Sequence, residues 1–305
     1  MKRVILVISA VILFITFFTS SLMADRGHYS FNPNISIYQE GQKAICAWNG
    51  KEEIMILATD LKASGKTRVL EFLPLPSKPT RVEKSSNAPF EEIQRLIKSN
   101  SPPAPESFRM KGKIESGTDS VEVVFHEKIG AHDITIVRVY DIADFMNWIY
   151  KFLQKEAVEY SPAWGERARP LLEDLLHKGL KYYVFDIIDL TPDRQTIEPI
   201  MYKFSSSALY FPLKVSSLDK GRVEIGLFLF TPGKPDIHGT MTGFDCGHYL
   251  MPGTKPVPIK FKVRKTDLNR VSEDIGKLFS TGGAWFSTAV FRGPVNMLKR
   301  DFYIK

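Results

Sequence analysis

Gln42-Lys43-Ala44-Ile45-Cys46-Ala47-Trp48-Asn49-Gly50-Lys51-Glu52-Glu53-Ile54-Met55-Ile56-Leu57-Ala58 is the stretch on which the fold turns. Two apolar runs, over residues 42–48 and 53–58, flank Asn49-Gly50. An Asn-Gly pair in that setting is a strong hairpin signal, because both residues tolerate the left-handed backbone of a tight turn. Downstream, Thr67–Leu73 reads as a strand ended by Pro74, Pro76 and Pro79. Phe90–Lys98 reads as a short helix with Phe90, Ile93 and Ile97 on one face. Strands are expected at Val121–Phe125 and Ile134–Val139. Asp141 suits the cap of a helix carrying Ile142, Phe145, Ile149 and Phe152 in one stripe. Pro170 suits the first turn of a second helix with Leu171, Leu172, Leu175 and Leu176, stopped by Gly179. Lys181–Leu190 and Ile197–Phe204 read as a hairpin around Thr191-Pro192-Asp193. Further strands are expected at Leu209–Ser216, Arg222–Phe230, Val257–Val263, Trp285–Phe291 and Met297–Ile304, with a helix over Asp267–Phe279. Residues 231–256, rich in Gly and Pro, read as a long loop. The sum is an α+β chain, an antiparallel β-rich core with three or four amphipathic helices, and not a Rossmann-like alternation.

The N-terminus has a different character. Lys2 and Arg3 precede 21 uncharged residues, Val4–Ala24, and small residues stand ahead of Asp25. This is the pattern of an export signal cut after Ala24. About 20 apolar residues also suffice to span a bilayer, and Leu22 stands where a small residue is usual before a cut. A cleaved signal and an uncleaved anchor are both physically allowed, and both leave residues 25–305 outside the cytoplasm. Ser99-Asn100-Ser101-Pro102-Pro103-Ala104-Pro105 is the best linker candidate. It would divide a β-rich lobe, 25–100, from an α+β lobe, 101–305.

Removing 24 residues leaves 281, enough for a real core, and 44% hydrophobic with 25% charged residues is ordinary globular composition. The net charge of +7 falls to +5 without Lys2 and Arg3. That favours weak attraction to anionic lipid heads or acidic envelope polymers. No basic block is long enough to suggest nucleic acid, which export also disfavours. Cys46 and Cys246 are the two cysteines. In an exported chain they are candidates for a disulfide, with a buried inert thiol as the other reading of Cys46.

Chemistry-bearing residues fall into three groups. His126 and His132-Asp133 flank a predicted turn in Phe125-His126-Glu127-Lys128-Ile129-Gly130-Ala131-His132-Asp133. Folded as a hairpin they are candidate metal ligands, zinc being the metal such imidazoles suit. His238, Asp245, Cys246 and His248 lie in the long loop, where a Cys/His nucleophilic pair and a stapled loop exclude each other. Asp186 interrupts Tyr182-Tyr183-Val184-Phe185-Asp186-Ile187-Ile188, a run apolar on both faces. A carboxylate there needs a cation or several donors, and a structural pair with a His or Arg is favoured. There is no Gly-x-Ser-x-Gly elbow, Walker loop, Gly-x-Gly-x-x-Gly, His-Glu-x-x-His or calcium-loop pattern. Trp48, Trp148, Trp164 and Trp285 could line a sugar or peptide groove, although in a domain of this size such residues more often build the core.

Several stretches together resemble a prokaryotic family of exported proteins, domain-of-unknown-function family 2330, in the manner of its archaeal members. They are Ala24-Asp25-Arg26-Gly27, Gly41-Gln42-Lys43-Ala44 leading to Ala47-Trp48-Asn49-Gly50, Leu73-Pro74-Leu75-Pro76-Ser77, residues 125–133, and Tyr210-Phe211-Pro212-Leu213-Lys214. The resemblance implies an extracytoplasmic protein and carries over no catalytic residue. The expected function is an exported, envelope-associated, non-enzymatic binding or structural module. Its partner would be an envelope component or another protein, with the membrane reached through the N-terminal segment if that is uncleaved. The alternative is a metal-dependent hydrolase using His126, His132 and Asp133. Apart from zinc in that alternative, no cofactor is implied.

Overall fold

A computed structural model of the chain describes residues 27–32, 35, 37–102, 126–129, 131–158, 160–192, 195–218, 221–237, 243–250, 255–279 and 282–305. The signal or anchor segment, the strand expected at Val121–Phe125, and His238 lie outside these residues. Among the described residues no helix is long and apolar enough to cross a membrane.

The chain is α+β. Its strands are β1 (Gly27–Ser30), β2 (Ile37–Trp48), β3 (Glu52–Ala63), β4 (Thr67–Leu75), β5 (Arg81–Lys84), β6 (His126–Ile129), β7 (His132–Arg138), β8 (Tyr182–Leu190), β9 (Gln195–Thr196), β10 (Ile200–Ser205), β11 (Leu209–Phe211), β12 (Arg222–Thr231), β13 (Phe244–Cys246), β14 (His248–Tyr249), β15 (Val257–Pro258), β16 (Lys260–Val263), β17 (Ala284–Pro294) and β18 (Phe302–Ile304). The helices are α1 (Ala88–Ser99), α2 (Ile142–Lys155), α3 (Pro162–His177), α4 (Lys265–Val271) and α5 (Glu273–Leu278). A five-stranded sheet runs β1-β4-β8-β7-β6, and a nine-stranded one runs β13-β17-β12-β2-β3-β10-β5 with β16 on β17 and β9 on β3.

The β2–β3 hairpin forms at Asn49-Gly50 as its residues dictate. Gly50 has φ +100°, and Asn49 Oδ1 accepts from the Lys51 and Glu52 N–H groups at 2.9 and 2.8 Å. Residues 44–48 and 53–57 are buried without a break, because both faces of this hairpin are covered. One face (Ala44, Cys46, Met55, Leu57) joins a cluster with β8, α2 and α3. The other (Ile45, Ala47, Ile54, Ile56) packs on Phe90 and Ile93 of α1 and on Leu268 and Ile275 of α4 and α5. Leu61 of β3 meets Val69 of β4 and Ile188 of β8. The two sheets therefore face each other, with helices on the outside of each.

Several expectations are corrected. The runs at 181–190 and 197–204 do not form a hairpin: β8 lies between β4 and β7, β10 between β3 and β5. Both runs are apolar enough to hold central places in different sheets, so Thr191–Pro199 is a crossing between sheets. The strand from Thr67 passes through Pro74, opposite Tyr183. The Pro74 carbonyl accepts from Tyr210 Oη at 3.2 Å. The helix that starts α3 begins earlier, with Ser161 as cap, and Pro170 lies inside it. One expected helix over 267–279 is two, broken at Ser272, whose backbone is extended and whose Oγ caps α5 by accepting from the Asp274 N–H at 3.2 Å. The proline-rich stretch near residue 100 does not divide the sheets, since β2, β3 and β4 pair with β12, β10 and β8.

Candidate functional site

The sequence-predicted residues separate. Cys46 in β2 and Cys246 in β13 are free thiols. The strand order β13-β17-β12-β2 puts three strand spacings between them, about 14 Å, twice what a disulfide spans. The expected bridge is therefore not formed. Burial pushes both thiols up, with the Glu53 carboxyl adding to the effect on Cys46. A thiol so held is a poor nucleophile, which removes the Cys/His pair. His248 belongs to the β14–β15 hairpin, docked on α1 through Tyr249 Oη donating to the Ile97 carbonyl at 2.9 Å, and it is not brought to His132 and Asp186 in the five-stranded sheet.

The metal reading fails on register. His126 pairs with Thr135, His132 with Ile129. Successive strand positions alternate between faces, so the two histidine positions belong to opposite faces of the sheet. The His126 side chain lies outside the described residues. Among those described, no three His, Cys, Asp or Glu residues are grouped to hold a metal ion.

His132 instead meets Asp186. Its Nδ1 lies 2.7 Å from Asp186 Oδ2, and its Nε2 lies 3.0 Å from the Glu198 carbonyl. The residues are 4% and 2% exposed. A carbonyl can only accept, so Nε2 carries a hydrogen. The remaining proton sits between Nδ1 and the carboxyl and is bonded wherever it rests. Glu198 lies on the approach to β10, so the imidazole ties the smaller sheet to the larger one.

A further buried acidic group went unnoticed in the sequence. Glu53 is 0% exposed and accepts from the Tyr210 N–H at 2.8 Å, while burial holds its carboxyl well above the usual range. Nearby, Asp301 accepts from the Leu213 and Lys214 N–H groups at 2.8 Å each, and burial pushes it up too. Both sit in runs that read as strand or strand end, where nothing local marks a carboxyl as buried.

The surface feature with the chemistry of a binding site is a groove of about 320 Å³ between α2 and β7. Asp141 starts α2 by accepting from the Ala143 and Asp144 N–H groups at 2.7 and 3.0 Å. Phe145, Ile149 and Leu153 then bury against the sheet. The neighbouring stripe, Trp148, Lys151, Phe152 and Lys155 at three- and four-residue spacing, overhangs the outward positions of β7 and β8. Trp148 and Phe152 stack with centroids 4.9 Å apart and planes at 21°, and Phe185 meets the indole from below at 4.8 Å and 61°. Asp133 and Thr135 form the facing wall, with Ile187 at the floor. Glu156, at the end of the groove, is gripped by Arg68, which donates to its Oε2 and to its carbonyl at 2.9 Å each. For Trp148, one of four tryptophans, a place in the core was the favoured reading over a groove; the lysines beside it carried no signal without the helix that aligns them.

A second, mainly polar groove of about 540 Å³ lies between β3, β10 and α5. Its charges answer one another, Arg81 to Asp274 at 2.7 Å and Lys203 to Glu52 at 3.3 Å. Lys277 is likewise matched by Glu273 at 3.2 Å, so the groove offers a ligand no unmatched charge among the described residues.

No protein-family model and no curated protein sequence matches this chain. Seven solved chains match in structure. The crystal structure of baculovirus P35 is similar at a TM-score of 0.45 and 10% identity, over 90% of this chain and 98% of that one. P35 in its complex with caspase-8 gives 0.37 and 6%, over 87% and 90%. Likenesses at this level say nothing about what this chain does.

Proposed function

We propose that this chain is an exported, envelope-associated binding module whose ligand seats in the groove between α2 and β7. The observation that carries the reading is the stacked Trp148–Phe152 pair, half-buried on a surface helix with ammonium groups on one side and a carboxylate on the other. An apolar platform with a few convergent polar groups is the general form of a small-molecule site. Extracytoplasmic placement and kinship with domain-of-unknown-function family 2330 belong to the same proposal, supported by Lys2-Arg3 with the apolar run after them and by the stretches quoted above.

The test is cosedimentation of the full chain, in nonionic detergent, with washed envelope material of the producing cells. The wild type is expected to sediment with it. Trp148→Ala, assayed well below a melting temperature that loss of the packing on Phe145, Phe152 and Phe185 will lower, should lose most of this binding. Equal sedimentation of the two proteins would sink the groove reading. N-terminal sequencing settles the fate of the signal: Asp25 for a cleaved one, Met1 for an anchor.

A further inference from the structure

We infer that the layer between the two sheets around Gln42 and Thr59 is a binding site for ordered water. The inference does not depend on the groove reading. Gln42 and Thr59 stand opposite each other in the β2–β3 register. By the alternation of the pleat they share the strand face of Ala44, Cys46, Met55 and Leu57, which is turned toward the smaller sheet. Ile225, the neighbour of Gln42 on its other edge, offers nothing polar. Across the interface the level is set by Leu61, Val69 and Ile188, which meet in one cluster. Two residues on from these along the same faces come Thr59 in β3, Glu71 in β4 and Asp186 in β8, and Glu71 and Asp186 are register partners. Gln42, Thr59, Glu71 and Asp186 are 2%, 5%, 1% and 2% exposed. A polar layer therefore crosses the apolar interior. A polar atom at such depth needs a partner, yet Gln42 Nε2, Gln42 Oε1 and Thr59 Oγ1 have none among the described residues. Their chemistry defines the guest. Nε2 only donates, Oε1 only accepts and the hydroxyl does both, so the guest must accept and donate at once. A cation answers no donor, and an anion would face two carboxyl groups. A direct Gln42–Thr59 bond would satisfy one end of the amide and strand the other. Water meets every demand and is the usual bridge between buried polar groups. Thr59 is also shorter than Leu57 and Leu61, which flank it on the same face, and this leaves a shallow place where a water can sit.

The test is the sign of a substitution, read by urea unfolding of the full chain in nonionic detergent. Thr59→Val keeps the shape of the side chain and removes the hydroxyl. If that hydroxyl holds a water, the change breaks a bond and should shift the unfolding equilibrium about tenfold toward the unfolded chain. If the hydroxyl is simply stranded, the same change removes a buried polar group and stabilises. Gln42→Met combined with Thr59→Val withdraws every group that calls for water and should recover most of what the single variant loses. A crystal structure of the wild type supplies the second readout: a solvent peak within hydrogen-bond distance of the Gln42 amide and of Thr59 Oγ1, gone in the double variant. A Thr59→Val protein as stable as the wild type overturns the inference, and so does a direct Gln42–Thr59 bond with no solvent peak. A peak held at about 2.4 Å by carboxylate oxygens marks a cation and overturns it as well. Should the variants fail to fold, the solvent peak in the wild type decides alone.

Discussion

Removing either half of the His132–Asp186 pair should cost far more than any surface change to this protein. The pair lies between the sheets, with the imidazole held at 2.7 Å by the carboxylate and at 3.0 Å by the Glu198 carbonyl. His132→Ala withdraws the closest donor from a carboxyl 2% exposed and leaves the carbonyl without that donor. Breaking one side of a buried pair costs about 3–5 kcal/mol, and the lost carbonyl bond adds about 1 kcal/mol. Asp186→Ala takes the carboxyl away from Nδ1 of the buried imidazole, at about 3 kcal/mol. Because both substitutions break the same Nδ1–carboxyl contact, the double variant should fall short of the sum by about 2–3 kcal/mol. A domain of this kind holds about 5–15 kcal/mol in all, so each single variant should surrender a third or more of it. Urea unfolding followed by tryptophan fluorescence reads this from midpoints at constant slope. Two singles each costing under about 1 kcal/mol, or a double equal to their sum, would refute the reasoning.

Three further outcomes follow from particular groups. Burial raises the folded-state carboxyl values of Glu53 and Asp301. Folding therefore takes up protons, and this contribution is complete below about pH 4 and lost as pH rises through the folded values. Stability should decline as pH rises above the ordinary carboxylate range, and Glu53→Gln should flatten the decline and raise the urea midpoint at the alkaline end; an unchanged pH profile would count against this origin. Gly283 has φ +80°, and a Cβ there would come 2.0 Å from the Val263 carbonyl oxygen. Gly283→Ala should accordingly lower stability by about 1–3 kcal/mol, visible as a depressed melting temperature. Asp141→Ala removes the acceptor of two N–H groups at the start of α2. It should cost about 1 kcal/mol and loosen the groove, read as faster amide exchange over Ile142–Phe145.

What was legible in the sequence was local. The Asn49-Gly50 hairpin, the Asp141 cap and the need of Asp186 for a partner each follow from chemistry within a few residues. The pairing of β12 with β2, parallel and about 180 residues apart in the chain, has no local cause. It arises because β2 is buried on both faces and needs a neighbour on each edge. The β8–β10 hairpin failed for a related reason. Strands apolar on both faces carry no alternation to say which sheet they join, so a short connection such as Thr191–Pro199 reads as a turn when it is a crossing. The groove was half legible. The spacing of Ile142, Phe145, Ile149 and Phe152 marks one stripe, but only the tilt of α2 over β7 decides that Phe152 falls at the open margin with Trp148, beside two lysines.

The dipeptide His132-Asp133 shows how strand geometry settles what residue type leaves open. Taken as letters, a histidine beside an aspartate across a turn from another histidine looks like a ligand set, and that is the basis of the hydrolase reading. The pleat sends neighbours to opposite faces. His132 therefore enters the space between the sheets, where the Asp186 carboxylate and the Glu198 carbonyl occupy both of its ring nitrogens. Asp133 goes outward to the wall of the groove. An imidazole with both nitrogens engaged has no lone pair to offer a metal and no free site to take a proton from a substrate, so what chemistry this strand performs must lie on its outer face. There the groups are a carboxylate, a hydroxyl, two lysines and a stacked aromatic pair. On the binding reading proposed above, the inner half of the dipeptide has its own part: by fixing β7 to the far sheet it holds the Asp133 wall still against α2. A site kept rigid in this way loses less ordering entropy when a ligand arrives.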